Sequence, residues 1–118
     1  MTAALAGRRL LVVEDDYFLA DTLARALAAQ GAEVIGPVSN VDAALDLVDD
    51  TNDLDGAVVD LNLQGEMAFP VADALREREI PFVFATGYDT IAIPPRYSAA
   101  PRCEKPTDLA TIARALFG

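Results

Sequence analysis

The stretch Leu10-Leu11-Val12-Val13-Glu14-Asp15-Asp16 decides the fold class. Its first four residues form an uninterrupted apolar run, which is typical of a strand that is buried on both faces in a parallel sheet. Three acidic residues follow at once, so the strand ends in a polar loop. An open α/β sheet carries its functional groups outside the carboxyl ends of its strands. The residues that follow each strand are therefore the first candidates for a functional site.

Strand-like and helix-like segments alternate along the rest of the chain. Runs rich in apolar residues predict four further strands, at 33–35, 57–59, 81–85 and 100–103. Apolar residues at helical spacing predict four helices, at 19–27, 41–48, 69–78 and 109–117. This alternation predicts a parallel sheet with helices on both faces, joined by right-handed crossovers.

Local signals refine two parts of this pattern. Ser39 and Asp42 form an S-x-x-D start for the second helix, and Thr107 is the predicted N-cap of the last one. Between the fourth and fifth strands, prolines forbid a long regular helix, because proline removes a helical hydrogen bond and clashes with the preceding turn. The fourth helix of the pattern is therefore predicted to be shortened or irregular.

Composition excludes several classes of function. The 118 residues are 53% apolar and carry a net charge of −10, which suits one folded domain over 1–118 and disfavours binding to nucleic acid or anionic lipid. The chain has no histidine, which excludes a Ser-His-Asp triad and most zinc sites. No apolar run approaches the ~20 residues of a membrane span. The single cysteine, Cys103, is predicted to be a buried core thiol and fits a cytoplasmic location.

Polar residues follow four of the predicted strands. Glu14 and Asp15 follow the first, Asp60 the third, Thr86 the fourth and Lys105 the fifth. Carboxylates that converge at one sheet edge repel each other unless a cation is present, and oxygen ligands in an open site suit Mg²⁺. A lysine and a hydroxyl opposite them supply the positive charge and the donor that a phosphoryl group needs.

With these residues in place, the chain resembles the receiver domain of bacterial two-component response regulators over essentially its whole length. The resemblance rests on the 11–16 stretch, Asp60, Thr86 and the pair Lys105-Pro106. It implies a doubly wound five-stranded parallel sheet of strand order 2-1-3-4-5, the flavodoxin-like arrangement. It also implies a cis peptide bond between Lys105 and Pro106.

The resemblance also implies a role for each site residue. Asp60 matches the phosphoacceptor, Thr86 the switch hydroxyl and Lys105 the lysine that contacts the phosphoryl group. The metal ligands would be Glu14, Asp15, Asp60 and the backbone carbonyl of Asn62, with Mg²⁺ as the ion.

A narrower resemblance concerns the stretch Pro81-Phe82-Val83-Phe84-Ala85-Thr86-Gly87-Tyr88. It is similar to the PFxFATGY signature of the stand-alone "FAT GUY" receiver subfamily. One departure affects the activation route, because Arg102 stands where receivers usually carry a switch aromatic. Tyr88 and Tyr97 are the candidates to replace it.

The predicted function is that of a single-domain response regulator, not an enzyme. Its partners would be a sensor histidine kinase and a phosphotransferase or downstream regulator, and it would relay phosphate or drain it from its kinase. An alternative is a phosphorylation-independent adaptor that binds a partner through the irregular 87–103 region. A small Mg²⁺-dependent phosphatase is a third hypothesis, which the absence of a D-x-D motif after the first strand disfavours.

Overall fold

The structure is a computed structural model that describes residues 3–87, 93–105 and 107–118. Five strands form its main sheet: β1 (Arg9–Val13), β2 (Glu33–Val38), β3 (Gly56–Asp60), β4 (Phe82–Thr86) and β5 (Arg102–Glu104). Four α-helices accompany them: α1 (Tyr17–Ala29), α2 (Val41–Asp50), α3 (Phe69–Glu77) and α4 (Leu109–Phe117). No helix within these ranges is long and apolar enough to cross a membrane.

The main sheet is parallel, with strand order β2-β1-β3-β4-β5. This order confirms the predicted 2-1-3-4-5 arrangement. Val13 at the end of β1 lies beside Val59, and Asp60 at the end of β3 lies beside Ala85. The carboxyl ends of the three central strands therefore meet at one edge of the sheet, where the candidate site residues follow.

Two apolar layers cover the two faces of the sheet. Leu11 and Val13 of β1 point into the layer beneath α2 and α3, whereas Leu10 and Val12 point into the layer beneath α1 and α4. All four side chains are at most 1% exposed. Burial on both faces explains why the first strand is uniformly apolar and does not alternate with polar residues.

Two helix starts lie one residue later than the sequence predicts. Asn40, and not Ser39, caps α2, because its side-chain oxygen accepts a hydrogen bond from the Ala43 amide at 2.8 Å. Asp108, and not Thr107, caps α4, because its carboxylate accepts from the Thr111 amide at 3.3 Å. In both pairs the cap is the residue whose side-chain oxygen lies one bond further from the backbone.

The two edge strands also differ from their predicted bounds. β2 continues past 35 to Val38, through Gly36 and Pro37, because an edge strand has one side on which a missing amide donor costs nothing. β5 covers 102–104 where 100–103 was predicted. Pro101 has no amide donor, although its carbonyl still accepts from the Phe84 amide at 3.0 Å.

Between β4 and β5, the described residues contain one regular element, the 3₁₀ turn Pro95–Tyr97. This agrees with the predicted shortened or irregular fourth helix. The Tyr97 ring is fully buried and stacks on Phe69, with centroids 4.8 Å apart. Its hydroxyl donates to the Asp73 carboxylate and lies 3.3 Å from the Phe69 carbonyl.

Phe69, Asp73 and Arg76 lie at i, i+4 and i+7 on α3, so they share one face of the helix. The Arg76 guanidinium lies 4.9 Å from the Tyr97 ring centre and donates to the Arg96 carbonyl at 2.5 Å. This set of contacts, which we call the Tyr97 anchor, attaches the irregular segment to α3.

Removing the Tyr97 hydroxyl is expected to destabilise the fold. In Tyr97→Phe the ring still packs, but the Asp73 carboxylate loses the Tyr97 donor and keeps Arg96, so the variant loses about 1 kcal/mol of unfolding free energy. Urea unfolding measures this change. Tyr17→Phe is the matched control, because Tyr17 is 84% exposed and its hydroxyl deletion should leave stability unchanged. Equal stability of Tyr97→Phe and wild type would show that the hydrogen bond contributes nothing.

Candidate functional site

Three carboxylates converge where β1 and β3 end. One oxygen from each of Glu14, Asp15 and Asp60 lies within 4.8 Å of the others. Glu14 is 7% and Asp60 4% exposed, although both are ionisable. The sequence predicted this convergence from the strand ends, and the parallel sheet brings it about.

Lys105 reaches this cluster from the end of β5. Its ammonium nitrogen lies 2.8 Å from Glu14 Oε1 and 2.8 Å from Asp60 Oδ2. The Lys105 amide donates to the Thr86 carbonyl at 2.8 Å, which continues the β4–β5 pairing and fixes the backbone. With three carboxylates and one ammonium, this group of four side chains carries a net charge of −2 when all are ionised.

Burial and mutual contacts shift the pKa values in this group. Burial raises the pKa of Asp60 to about 7, and the neighbouring carboxylates Asp15 and Glu14 act in the same direction against Lys105. Burial alone would lower the pKa of Lys105, but hydrogen bonds and ion pairs with Asp60 and Glu14 raise it. Lys105 therefore stays charged.

Asp15 behaves in the opposite way to Asp60. Burial acts to raise the pKa of Asp15. Hydrogen bonds with Asp60 and Glu14, together with the positive charge of Lys105, outweigh burial and lower this pKa below its ordinary value. Two adjacent carboxyl groups thus have pKa values that are pushed apart. Of these two groups, Asp60 is the one with the higher pKa.

The third acidic residue of the 14–16 stretch has a different role. The Asp16 carboxylate accepts a hydrogen bond from the Leu19 amide at 3.0 Å and caps α1. Its own amide donates to Glu14 Oε2 at 3.0 Å, which helps to orient Glu14. Of the three acidic residues, Glu14 and Asp15 therefore belong to the cluster, whereas Asp16 caps a helix.

The other predicted site residues lie around this cluster or outside the described residues. Thr86 ends β4, and its hydroxyl lies 3.5 Å from the Cys103 carbonyl. The Asn62 amide donates to Asp60 Oδ1 at 3.2 Å. Tyr97 is held in its anchor on α3.

Tyr88 and Pro106 lie outside the described residues, so the structure does not test the Tyr88 switch or the predicted cis bond.

The chemistry of the donors fits a small divalent cation. Hard cations prefer carboxylate and carbonyl oxygen, and the cluster offers only oxygen ligands. Within the described ranges, Asp60 Oδ2 is buried, and the neighbour that the structure gives it is the Lys105 ammonium at 2.8 Å. A cation would relieve the excess negative charge of three carboxylates that share one ammonium.

The site therefore combines a buried nucleophilic oxygen with fixed positive charge beside it. A carboxylate with these neighbours can attack an electrophile whose own oxygens are negatively charged, because the ammonium and a bound cation neutralise that charge. The two oxygens of Asp60 have different neighbours, the Asn62 amide at Oδ1 and the Lys105 ammonium at Oδ2, and the sequence does not predict this difference.

No family model matches the chain, and no curated protein sequence is significantly similar to it. Several solved structures, however, are similar to this chain. The chain is 38% identical to SdrG from Sphingomonas melonis Fr1. The match covers 98% of this chain and 96% of that protein, with a TM-score of 0.80. The BeF₃-activated conformation of SdrG, attributed to Pseudomonas melonis Fr1, gives 38% identity, 94% coverage of both chains and a TM-score of 0.75.

Two further structures have similar folds at lower identity. The non-phosphorylated HemR receiver domain from Leptospira biflexa is 28% identical over 94% of this chain and 95% of its own, with a TM-score of 0.77. A response regulator from Burkholderia pseudomallei, solved with a phosphorylated aspartic acid, calcium ion and citrate, is 28% identical. That match covers 92% of this chain and 66% of the other, with a TM-score of 0.76.

Proposed function

The chain belongs to the response regulator receiver family, and from this premise we propose that Asp60 accepts a phosphoryl group from the phosphohistidine of a sensor histidine kinase. One observation carries the proposal: Asp60 lies buried at the end of β3 between two carboxylates and the Lys105 ammonium. The phosphorylated aspartic acid of the Burkholderia pseudomallei relative supports the same role for Asp60.

The proposed step is a phosphoryl transfer between two side chains. An Asp60 oxygen attacks phosphorus, a P–O bond forms, and the P–N bond of the phosphohistidine breaks. The imidazole nitrogen of the kinase keeps the electron pair of that bond and takes a proton from solvent. Lys105 neutralises charge on the transferred group, and the Thr86 hydroxyl donates to one of its oxygens.

We propose Mg²⁺ as the ion of this site. Asp15 and Asp60 would bind it directly, Glu14 through water, and Asn62 through its backbone carbonyl. The bound ion would neutralise the negative charge that builds up on the phosphoryl oxygens during transfer. The calcium ion in the Burkholderia pseudomallei structure and the oxygen-only cluster support a divalent cation here.

A Mg²⁺ and beryllofluoride titration tests this function. Beryllofluoride is a phosphoryl analogue that needs no kinase, and ¹H–¹⁵N NMR should show shifts centred on residues 14, 15, 60, 86 and 105. Asp15→Asn should weaken Mg²⁺ binding on the order of tenfold or more, because the variant loses a charged ligand.

Asp46→Asn on α2 is the matched control, since it removes an exposed carboxylate. This variant should bind Mg²⁺ as the wild type does. If neither ion changes the wild-type spectrum, the phosphoacceptor function is wrong, and the phosphorylation-independent adaptor that uses the 87–103 region takes its place.

The finer parts of the proposal concern context. We place the chain in the PFxFATGY subfamily, with 1–118 as one receiver domain that works in the cytoplasm. It would receive phosphate from its kinase and pass it to a phosphotransferase or downstream regulator, or drain it by slow autodephosphorylation. In this role the domain is a phosphoacceptor and not a turnover enzyme.

A further inference from the structure

The segment after Asp60 is a small β-hairpin. Asn62–Leu63 pairs antiparallel with Glu66–Met67. The two turn residues between them, Gln64 and Gly65, have φ values of 55° and 92°. Two successive positive φ values are typical of the tight I′ turn that closes two-residue hairpins.

The turn has an unfavourable residue at its first central position. Glutamine has a Cβ that disfavours the left-handed conformation, whereas Gly65 adopts it freely. The side chain of Asn62 compensates, because its carboxamide oxygen accepts a hydrogen bond from the Gly65 amide at 2.6 Å. Asparagine commonly closes turns in this way, by binding a backbone amide a few residues further along the chain.

The hairpin is anchored at its base. The Leu61 amide donates to the Ala85 carbonyl at 3.0 Å, and the Ala68 amide donates to the Leu61 carbonyl at 3.0 Å. Leu61, Leu63 and Ala68 are buried. The hairpin is therefore part of the packed fold, and its shape determines where the Asn62 backbone lies.

The position of that backbone decides the state of Asp60. The Asn62 amide donates to Asp60 Oδ1 at 3.2 Å, whereas Oδ2 lies 2.8 Å from the Lys105 ammonium. The hydrogen bond to Oδ1 restrains rotation of the carboxylate. Oδ2 is therefore held on the side of Lys105, whose positive charge would also face the oxygens of an incoming phosphoryl group.

We propose that the Asn62 side chain is a positioning residue, which closes the 62–67 hairpin so that the Asn62 amide holds Asp60 Oδ1 and presents Oδ2 as the accepting oxygen. This inference rests on the proposed phosphoacceptor function. It assigns the Asn62 carboxamide to the hairpin turn, so that the side chain acts on the reaction through the backbone and not by touching the phosphoryl group.

The test compares two deletions of the same kind of contact. Asn62→Ala removes the acceptor for the Gly65 amide, and Asn40→Ala removes the acceptor for the Ala43 amide at the start of α2. Beryllofluoride affinity is measured at saturating Mg²⁺, with the melting temperature and hydrogen exchange at the Gly65 amide. Asn62→Ala should bind beryllofluoride on the order of tenfold more weakly and exchange faster at Gly65. Asn40→Ala should lose stability but keep wild-type affinity.

A double variant separates positioning from direct contact. Glycine at position 64 relieves the unfavourable turn conformation, so Asn62→Ala/Gln64→Gly should recover most of the lost affinity without any side-chain oxygen at 62. If the double variant stays as weak as the single one, the Asn62 side chain acts directly and the proposal is wrong.

The remaining outcomes keep the two proposals apart. Wild-type affinity in Asn62→Ala would overturn the positioning role alone, since the site would still accept the analogue. Failure of the wild type to bind beryllofluoride would overturn the phosphoacceptor function and the positioning role together.

Discussion

The Asp60→Asn variant is expected to form no acyl phosphate when a small phosphodonor such as acetyl phosphate is supplied with Mg²⁺. A carboxamide has nearly the same shape as the carboxylate, but its oxygen carries no charge and attacks phosphorus far more slowly. Lys105 and the remaining carboxylates stay in place, so the loss reports on the nucleophile. Intact-mass spectrometry measures the added phosphoryl group, and its lability to hydroxylamine identifies an acyl phosphate.

Asp16→Asn is the matched control for this experiment. Asp16 belongs to the same acidic stretch but caps α1, so its amide variant should still take up one phosphoryl group. That variant should keep close to wild-type stability, because asparagine caps a helix about as well as aspartate does. Phosphate that persists on another residue of Asp60→Asn would contradict the assignment of Asp60.

The same Asp60→Asn substitution is expected to stabilise the protein in metal-free buffer at neutral and alkaline pH. The folded-state pKa of Asp60 is about 7, whereas the ordinary value is 3.8. Between these values the folded protein holds a proton that the unfolded chain has released, so wild-type stability falls as the pH rises through this window. Asparagine has no proton to lose, and the variant avoids this loss.

The expected gain at pH 8 is on the order of 2 kcal/mol or more, because the shift of the Asp60 pKa from 3.8 to about 7 already includes the opposing effect of Lys105. It should be smaller near pH 5 and approach zero only below pH 3.8, where the unfolded chain is protonated at this residue as well. Urea unfolding with a chelator at both pH values measures the difference. Asp46→Asn, which neutralises an exposed carboxylate, should show no such pH dependence. A wild type more stable than Asp60→Asn at pH 8 would mean that ionised Asp60 is well accommodated without metal.

The sheet and the acidic cluster could be predicted from the sequence because both follow from short-range patterns. An apolar run such as 10–13 predicts a strand that is buried on both faces, and the polar residue after each strand is a candidate for the site. Parallel packing then brings Glu14, Asp15, Asp60 and Lys105 together without further information.

The features that could not be predicted depend on contacts between segments or on small energetic preferences. Ser39 and Asn40 are both good caps, and so are Thr107 and Asp108, so propensity does not choose between neighbours. The Gln64-Gly65 turn lacks the Asn-Gly or Asp-Gly pair that signals a hairpin, and its closure depends on the Asn62 side chain.

The Tyr97 anchor was missed for another reason. Its aromatic and charged partners on α3 lie more than twenty residues before Tyr97, and nothing local to position 97 points to them. The 69–73–76 spacing on one face of α3 does not by itself predict a contact with Tyr97, because such a face usually packs against the sheet. Long-range pairs of this kind need an observed fold or covarying sequences.

The two outer strands bear on how the molecule behaves in crowded solution. A sheet edge exposes backbone donors and acceptors to which another chain can add, which is how aggregates start. β2 ends the sheet on one side with Pro37, which has no amide to donate, and with the exposed Glu33. β5 ends it on the other side with three residues, of which Arg102 and Glu104 are exposed. Together with a net charge of −10, these edges oppose strand addition and favour molecules that stay dispersed.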